Sequence, residues 1–395
     1  MTTSSNVSDS LQIEPSLPTK KTVLGPSILL AAVSLSGVLP LISPQAQAED
    51  APEKAEFSSK YLRYRDSQPG LNRLTVNSPS IALSVPIAGV WSIDAGLVAD
   101  QVSGASPRYH TVISSASKMS DSRRAADVKL HRYFERVKLS AGVAYSTEHD
   151  YDSTAISLNA SIASDDNNTT WNFGLGSAKD KITATGRRLN EERRGSDFLI
   201  GVSQVLSPQD IAQISLTHTN AHGYFSDAYK SLDIRPRERQ QTALNLKYHH
   251  YFPEADGSLR LNYRHYQDSF GIRSHTINID YAQTLSAGWT ITPTLRLYSQ
   301  SAADFYFDPV YTILYIPVGY KIGGTQFISE DQRMSAFGGR SFGVKLSKQL
   351  DQHWQIDASL EQYRQRSDWT FFKNRRPQLA PLDASILQVG LRYRF

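Results

Sequence analysis

The chain has 395 residues, with 42 basic and 38 acidic side chains, a formal charge of +4 and no cysteine. So even a balance points away from nucleic acid, and the absence of thiols excludes disulfides, a thiolate metal site and covalent haem attachment by this chain. A mean hydropathy of -0.39 reads as soluble, yet a membrane barrel gives the same value because only alternate residues of each strand meet lipid.

Lys20 and Lys21 precede an apolar run from Val23 to Ile42, and Gln45-Ala46-Gln47-Ala48-Glu49 places small residues around a cleavage position after Ala48. This is the pattern of a secretory signal peptide, so residues 1–48 are expected to be removed. Gly25, Pro26, Gly37 and Pro40 interrupt the run and argue against a retained membrane helix. Lys20, Lys21, Asp9 and Glu14 leave together, so the mature charge stays at +4. Residues 49–58 are expected to form a short periplasmic segment, and 59–395 an outer-membrane β-barrel.

From Tyr61 onward the sequence is a succession of two-residue apolar periods separated by turn residues. The predicted strands are 59–65, 73–85, 91–102, 125–135, 137–148, 151–164, 169–178, 196–206, 209–221, 239–251, 257–268, 272–285, 288–300, 337–350, 353–366 and 384–395. That is sixteen, an even number, as an all-β, antiparallel, up-and-down transmembrane barrel requires. Pro79 predicts a bulge in the second strand, where the apolar parity changes between Val76 and Ile81.

The connections separate by length. Those after even strands, such as 165–168, 207–208 and 286–287, are short and are assigned to the periplasmic side. The long ones, 103–124, 179–195, 222–238, 301–336 and 367–383, all follow odd strands and are assigned to the outer side. Trp91, Trp171, Trp289 and Trp354 sit just after the short turns, where they would form a periplasmic aromatic girdle.

Pairing Leu261 with Ile279, and Ile279 with Leu295, places Arg260 opposite Asp280 and Asn278 opposite Arg296, so a lumenal Arg260/Asp280/Arg296 charge network is expected. Such a network braces a wall more often than it selects a solute, and each solvated pair contributes only ~0–1 kcal/mol. His249 and His250 are adjacent in a strand and point to opposite faces, so they cannot share a metal without a bulge. No catalytic, metal or cofactor residue is therefore expected. Segment 179–195 is basic, and Arg187, Arg188, Arg193 and Arg194 would face lipopolysaccharide phosphates, or else form an ordinary solvated charge run. Loop 301–336 carries Phe305, Tyr306, Phe307, Tyr311, Ile313, Leu314, Tyr315, Ile316 and Val318, too apolar for a free loop, so it is expected to fold into the mouth or to form an extra hairpin.

The chain ends on an alternation in which Leu387, Val389, Leu391, Tyr393 and Phe395 share one face. This resembles the C-terminal signal by which the barrel-assembly machinery of Gram-negative bacteria recognises its clients.

The runs VSGASP at 102–107, YSTEHDY at 145–151, DNNTTW at 166–171 and MSAFG at 334–338 resemble the bacterial family catalogued as domain of unknown function 3570. The resemblance spans about residue 58 to the end and implies an exported barrel, with no catalytic or binding residues to carry over. Passive passage or transport of small solutes is the first functional reading, because a barrel of this size encloses an aqueous channel when its interior is empty. The alternatives are a non-conducting scaffold for a periplasmic lipoprotein or redox partner, and a hydrolase at the rim. Outer-membrane lipid, lipopolysaccharide and the barrel-assembly machinery are the expected partners.

Overall fold

The structure is a computed structural model that describes residues 50–105, 118–184, 188–230, 232–308, 326–376 and 379–395. The expected signal peptide at 1–48 lies outside the described residues. The strands, in chain order, are β1 (Glu56–Gln68), β2 (Leu71–Ile87), β3 (Trp91–Ala105), β4 (Lys118–Tyr133), β5 (Val137–Thr147), β6 (Tyr151–Ala163), β7 (Thr169–Ala184), β8 (Leu189–Ser207), β9 (Asp210–Gly223), β10 (Asp233–Ile234), β11 (Glu238–Phe252), β12 (Gly257–Asp268), β13 (Arg273–Thr284), β14 (Trp289–Gln300), β15 (Ile328–Ser329), β16 (Phe337–Gln349), β17 (Trp354–Arg366) and β18 (Leu382–Arg394). Sixteen of them close an antiparallel barrel in which each pairs with its chain neighbour, and β10 pairs with β15 in a separate two-stranded sheet. The seam runs between β1 and β18 from Glu56↔Arg394 to Ser67↔Asp383, so no barrel edge is left open.

Alternation divides the side chains between two environments. Leu97, Val143, Ile156, Leu158, Leu175, Phe342 and Leu360 all face outward and are more than half exposed. A belt of that kind costs on the order of 1.5–3 kcal/mol per side chain in water and nothing in hydrocarbon, so the outer wall is built for lipid. The described residues contain no helix long and apolar enough to cross a membrane; the strands do the crossing. Trp91, Trp289 and Trp354 begin β3, β14 and β17, and Trp171 lies near the start of β7. All four therefore sit at the end of the barrel that carries the short turns. Asp166 closes one of these turns, accepting from the Asn168 amide at 3.1 Å, while Asn167 adopts a φ of 56° that asparagine tolerates. On β18, Leu387, Val389 and Leu391 are exposed outward, as is Phe395 just after it. Tyr393 packs against Trp354 at 4.5 Å and Phe395 at 4.9 Å, and the Phe395 amide donates to the Ala55 carbonyl at 2.9 Å.

Three sequence expectations change. The first strand begins at Glu56, three residues before the expected start of the barrel at 59. Pro79 lies opposite Tyr61 in an unbroken register, and the shift falls instead between Arg65 and Ser67. The parity change on β2 has another cause: Leu74 and Val76 turn inward to pack with Val102 and Tyr64, whereas Ile81 and Leu83 face lipid. Finally, 179–195 is largely a hairpin, because β7 and β8 continue past the apolar belt with Lys179↔Arg194 through Ala184↔Leu189 still paired. Once a strand leaves the bilayer both faces meet water, so the apolar period that marks a strand in sequence vanishes while the ladder persists.

Candidate functional site in the lumen and at the long-connection mouth

The expected registers are present on β12, β13 and β14: Arg260 lies opposite Asp280, and Asn278 opposite Arg296. Asp280 shares its face with the buried Ser274 and Thr276, on the side opposite the exposed Ile277, so it points into the lumen. Among the described residues no ion pair within 4 Å joins Arg260, Asp280 and Arg296; the three charges line one wall without clasping one another.

A tighter set lies across β3, β4 and β5. Asp100 and Arg123 form a buried pair at 2.7 Å. Nearer the short turns, buried His131 stands between Asp94 at 2.9 Å on Nε2 and Ser140 at 2.7 Å on Nδ1. The trio has the composition of a nucleophile relay, but Ser140 sits inside a regular ladder, opposite both His131 and Asn159, where backbone donors are committed to neighbouring strands. The arrangement is a hydrogen-bonded chain from Asp94 through His131 to Ser140 along the wall.

The long connections build the mouth. Segment 224–237, between β9 and β11, meets segment 326–336, between β14 and β16, through the β10–β15 sheet, with Asp233↔Ser329 and Ile234↔Ile328 paired. Beside this sheet, which Tyr306 touches through a bridge to Ser329, Phe270 and Ile272 of the β12–β13 turn pack with Ala302, Ala303, Tyr306, Met334 and Ala336. Around its strands is a buried charge cluster. Arg235 holds Asp233 at 2.6 Å and Asp331 at 2.7 Å, Lys230 reaches Asp331 at 3.3 Å, and Arg333 binds both Asp331 and, at 3.1 Å, Asp227. Burial alone would raise the Asp331 carboxyl, but Arg333, Lys230 and Arg235 together hold it well below the usual carboxylate range. Burial pushes neighbouring Glu330 up to about 7, against the opposing pull of Lys230. Tyr229 donates to Asp150 in the β5–β6 turn, and Arg376 stacks on Tyr306 at 5.4 Å, so connections from β5 round to β18 form one network.

Two triads of carboxylates bring ligand oxygens within 4.8 Å of one another: Asp227, Asp233 and Asp331, and Asp121, Glu148 and Asp150. The first is filled by the guanidinium and ammonium groups just described. In the second, burial and then Asp121 push Glu148 up to about 8, so it keeps a proton at neutral pH.

Of the basic residues expected to face lipopolysaccharide, Arg187 lies outside the described residues and Arg188 is exposed. Arg193 turns toward the barrel axis, held by Asp180 at 2.7 Å and Tyr151 at 2.8 Å, and exposed Arg194 bonds Glu192 at 3.2 Å. Of the apolar loop, Phe305 and Tyr306 join the mouth core, whereas Tyr311, Ile313, Leu314, Tyr315, Ile316 and Val318 lie outside the described residues. The mouth cluster was missed in the sequence because its charges come from segments about 100 residues apart; the one signal was the apolar character of loop 301–336.

Among solved structures, the chain is similar to the bacterial polysaccharide outer membrane secretin, at 9% identity with a TM-score of 0.50, covering 86% of this chain and 98% of that one. It is also similar to CdiB from Acinetobacter baumannii, at 8% identity with a TM-score of 0.50, covering 87% of this chain and 60% of that one. At these identities the likeness establishes the outer-membrane barrel fold alone. No curated protein matches the sequence. The family model described as "Protein of unknown function (DUF3570)" matches residues 111–192 and 185–383. With that match over most of a closed sixteen-stranded barrel, the chain belongs to the DUF3570 family.

Proposed function

We propose that this barrel is an outer-membrane channel for small solutes, oriented with its short turns in the periplasm, whose outer entrance is narrowed by its own folded connections. The observation that carries the reading is the mouth network: the β10–β15 sheet, the Phe270 cluster beside it and the buried charges around Asp331. A sixteen-stranded wall is wide enough for water. Connections with a core of their own act as a constriction rather than as loose loops. Arg260, Asp280 and Arg296 on the wall below then face whatever passes.

Purified full-length protein in planar bilayers tests this. Discrete conductance steps are expected, with larger steps when 326–336 is loosened by Asp331→Asn. A barrel silent in both forms refutes the channel and moves the assignment to a sealed scaffold for a periplasmic partner.

A further inference from the structure

Just beyond the apolar belt, on the outer wall of β16 and β17, Arg340 and Arg364 face each other across the ladder. Each shares its face with the lipid belt: Arg340 with Phe342, Arg364 with Leu360. Both arginines are exposed, and neither is in an ion pair among the described residues. Like charges directly opposite each other are unfavourable in a sheet. Across its other ladder Arg364 faces Asp383, which Arg366 holds at 2.7 Å, so Arg340, Arg364 and Arg366 against one carboxylate leave an excess of positive charge about two residues, or ~7 Å, above exposed Phe342.

The surroundings hold the pair in place. After β17 residues 369–372 fold back along the outside of the wall before Arg376 reaches Tyr306 at the mouth. Thr370 Oγ1 donates to the Gln300 carbonyl at 2.9 Å, the Phe371 amide donates to Ser299 Oγ at 2.8 Å, and Phe372 stacks on His275 at 5.8 Å. Trp369 is thereby laid against the wall, with the Arg340 guanidinium 4.3 Å from its ring and that of Arg366 at 5.6 Å. Arg366 is neutralised by Asp383 at 2.7 Å. Phe371, anchored by its amide on Ser299, is 76% exposed.

We infer that Arg340 and Arg364, backed by Trp369, bind the phosphate of a phosphorylated glycolipid in the leaflet at the long-connection end. Forked guanidinium donors suit phosphate oxygens, Phe342 and Leu360 receive the acyl chains, and Phe371 reaches into the interfacial layer. The leaflet assigned rests on the orientation proposed above; the phosphate chemistry does not.

The test is native mass spectrometry of the full chain in detergent, offered either bis-phosphorylated lipid A or the same lipid after enzymatic dephosphorylation. The wild type should retain the phosphorylated form at least about tenfold more tightly. A barrel carrying R340Q and R364Q together should lose that preference. Equal retention of the two lipids by the wild type overturns the site, and needs no variant to fold. Retention unchanged in the double variant, checked as a folded barrel by its heat-dependent gel migration, also overturns it. So does displacement of the lipid by millimolar inorganic phosphate, which would assign the site to the free ion. The channel reading is decided separately, because retention in a micelle is blind to conduction.

Discussion

Replacing Asp331 by Asn removes one charge from the centre of the mouth while keeping its shape. The carboxylate is fully buried and touches three cations, with Arg235 at 2.7 Å, Lys230 at 3.3 Å and Arg333 in direct contact, and it accepts the Arg333 amide at 2.9 Å. Removing one member of a buried ion pair costs about 3–5 kcal/mol, because its partners stay desolvated. Here Arg235 keeps Asp233 and Arg333 keeps Asp227, so the low end, ~3 kcal/mol, applies. That corresponds to roughly a hundredfold rise in the open population of the docked segments. Hydrogen exchange reads it through the β10–β15 ladder, which pairs Asp233 with Ser329 and Ile234 with Ile328 across the two segments, and through the Ser329 amide, which donates to the Phe305 carbonyl at 3.0 Å within its own connection. Peptides covering 326–336 should exchange about a hundredfold faster in Asp331→Asn, while peptides from β17 keep the wild-type rate. A rise below about threefold would refute the view that the charge cluster holds the mouth together.

Glu330 gives the mouth a pH dependence of definite sign. Burial raises its pKa to about 7 from the ordinary glutamate value of 4.5, so its contribution is fully present below 4.5 and is lost as pH rises through 7. Docking should weaken between those values, with faster exchange across 326–336 at pH 8 than at pH 5 after correction for intrinsic rates, and Glu330→Gln should flatten the trend. Gly338→Ala should detach the strap outside β16, because an added Cβ would lie 2.2 Å from the Trp369 carbonyl oxygen. Faster chymotryptic cleavage after Phe371, with the barrel still folded, is the expected result. Deleting Phe395 removes an exposed aromatic whose amide bonds Ala55 at the seam. If the C-terminal alternation acts as an assembly signal, the folded fraction in the outer membrane should fall several-fold, and an unchanged fraction would refute that expectation for Phe395.

The local pattern was enough to place sixteen strands, to sort the short turns from the long connections and to align Arg260 with Asp280, because alternation between lipid and lumen is written residue by residue in each strand. The turn chemistry of Asp166-Asn167-Asn168 was legible for the same reason. Beyond the bilayer that signal disappears, which is why the β7–β8 extension read as a loop and why Arg193, expected to face outward, turned out to be held by Asp180. The parity change on β2 was visible, but its cause was not, since the packing of Leu74 and Val76 against Val102 joins different strands.

What the sequence by itself determined is the wall, a closed cylinder with apolar residues outside and polar ones within, because each strand's two faces meet two solvents and a one-residue slip would exchange them. Only the tertiary structure decided what that wall carries. The cluster that joins Asp233 and Arg235 to Asp331, and the strap that lays Trp369 against Arg340, bring together residues far apart in the chain, and burial in one case and stacking in the other depend on how whole connections fold back. No periodicity encodes such meetings, which are fixed by packing and charge pairing once the barrel has brought the connections to one end.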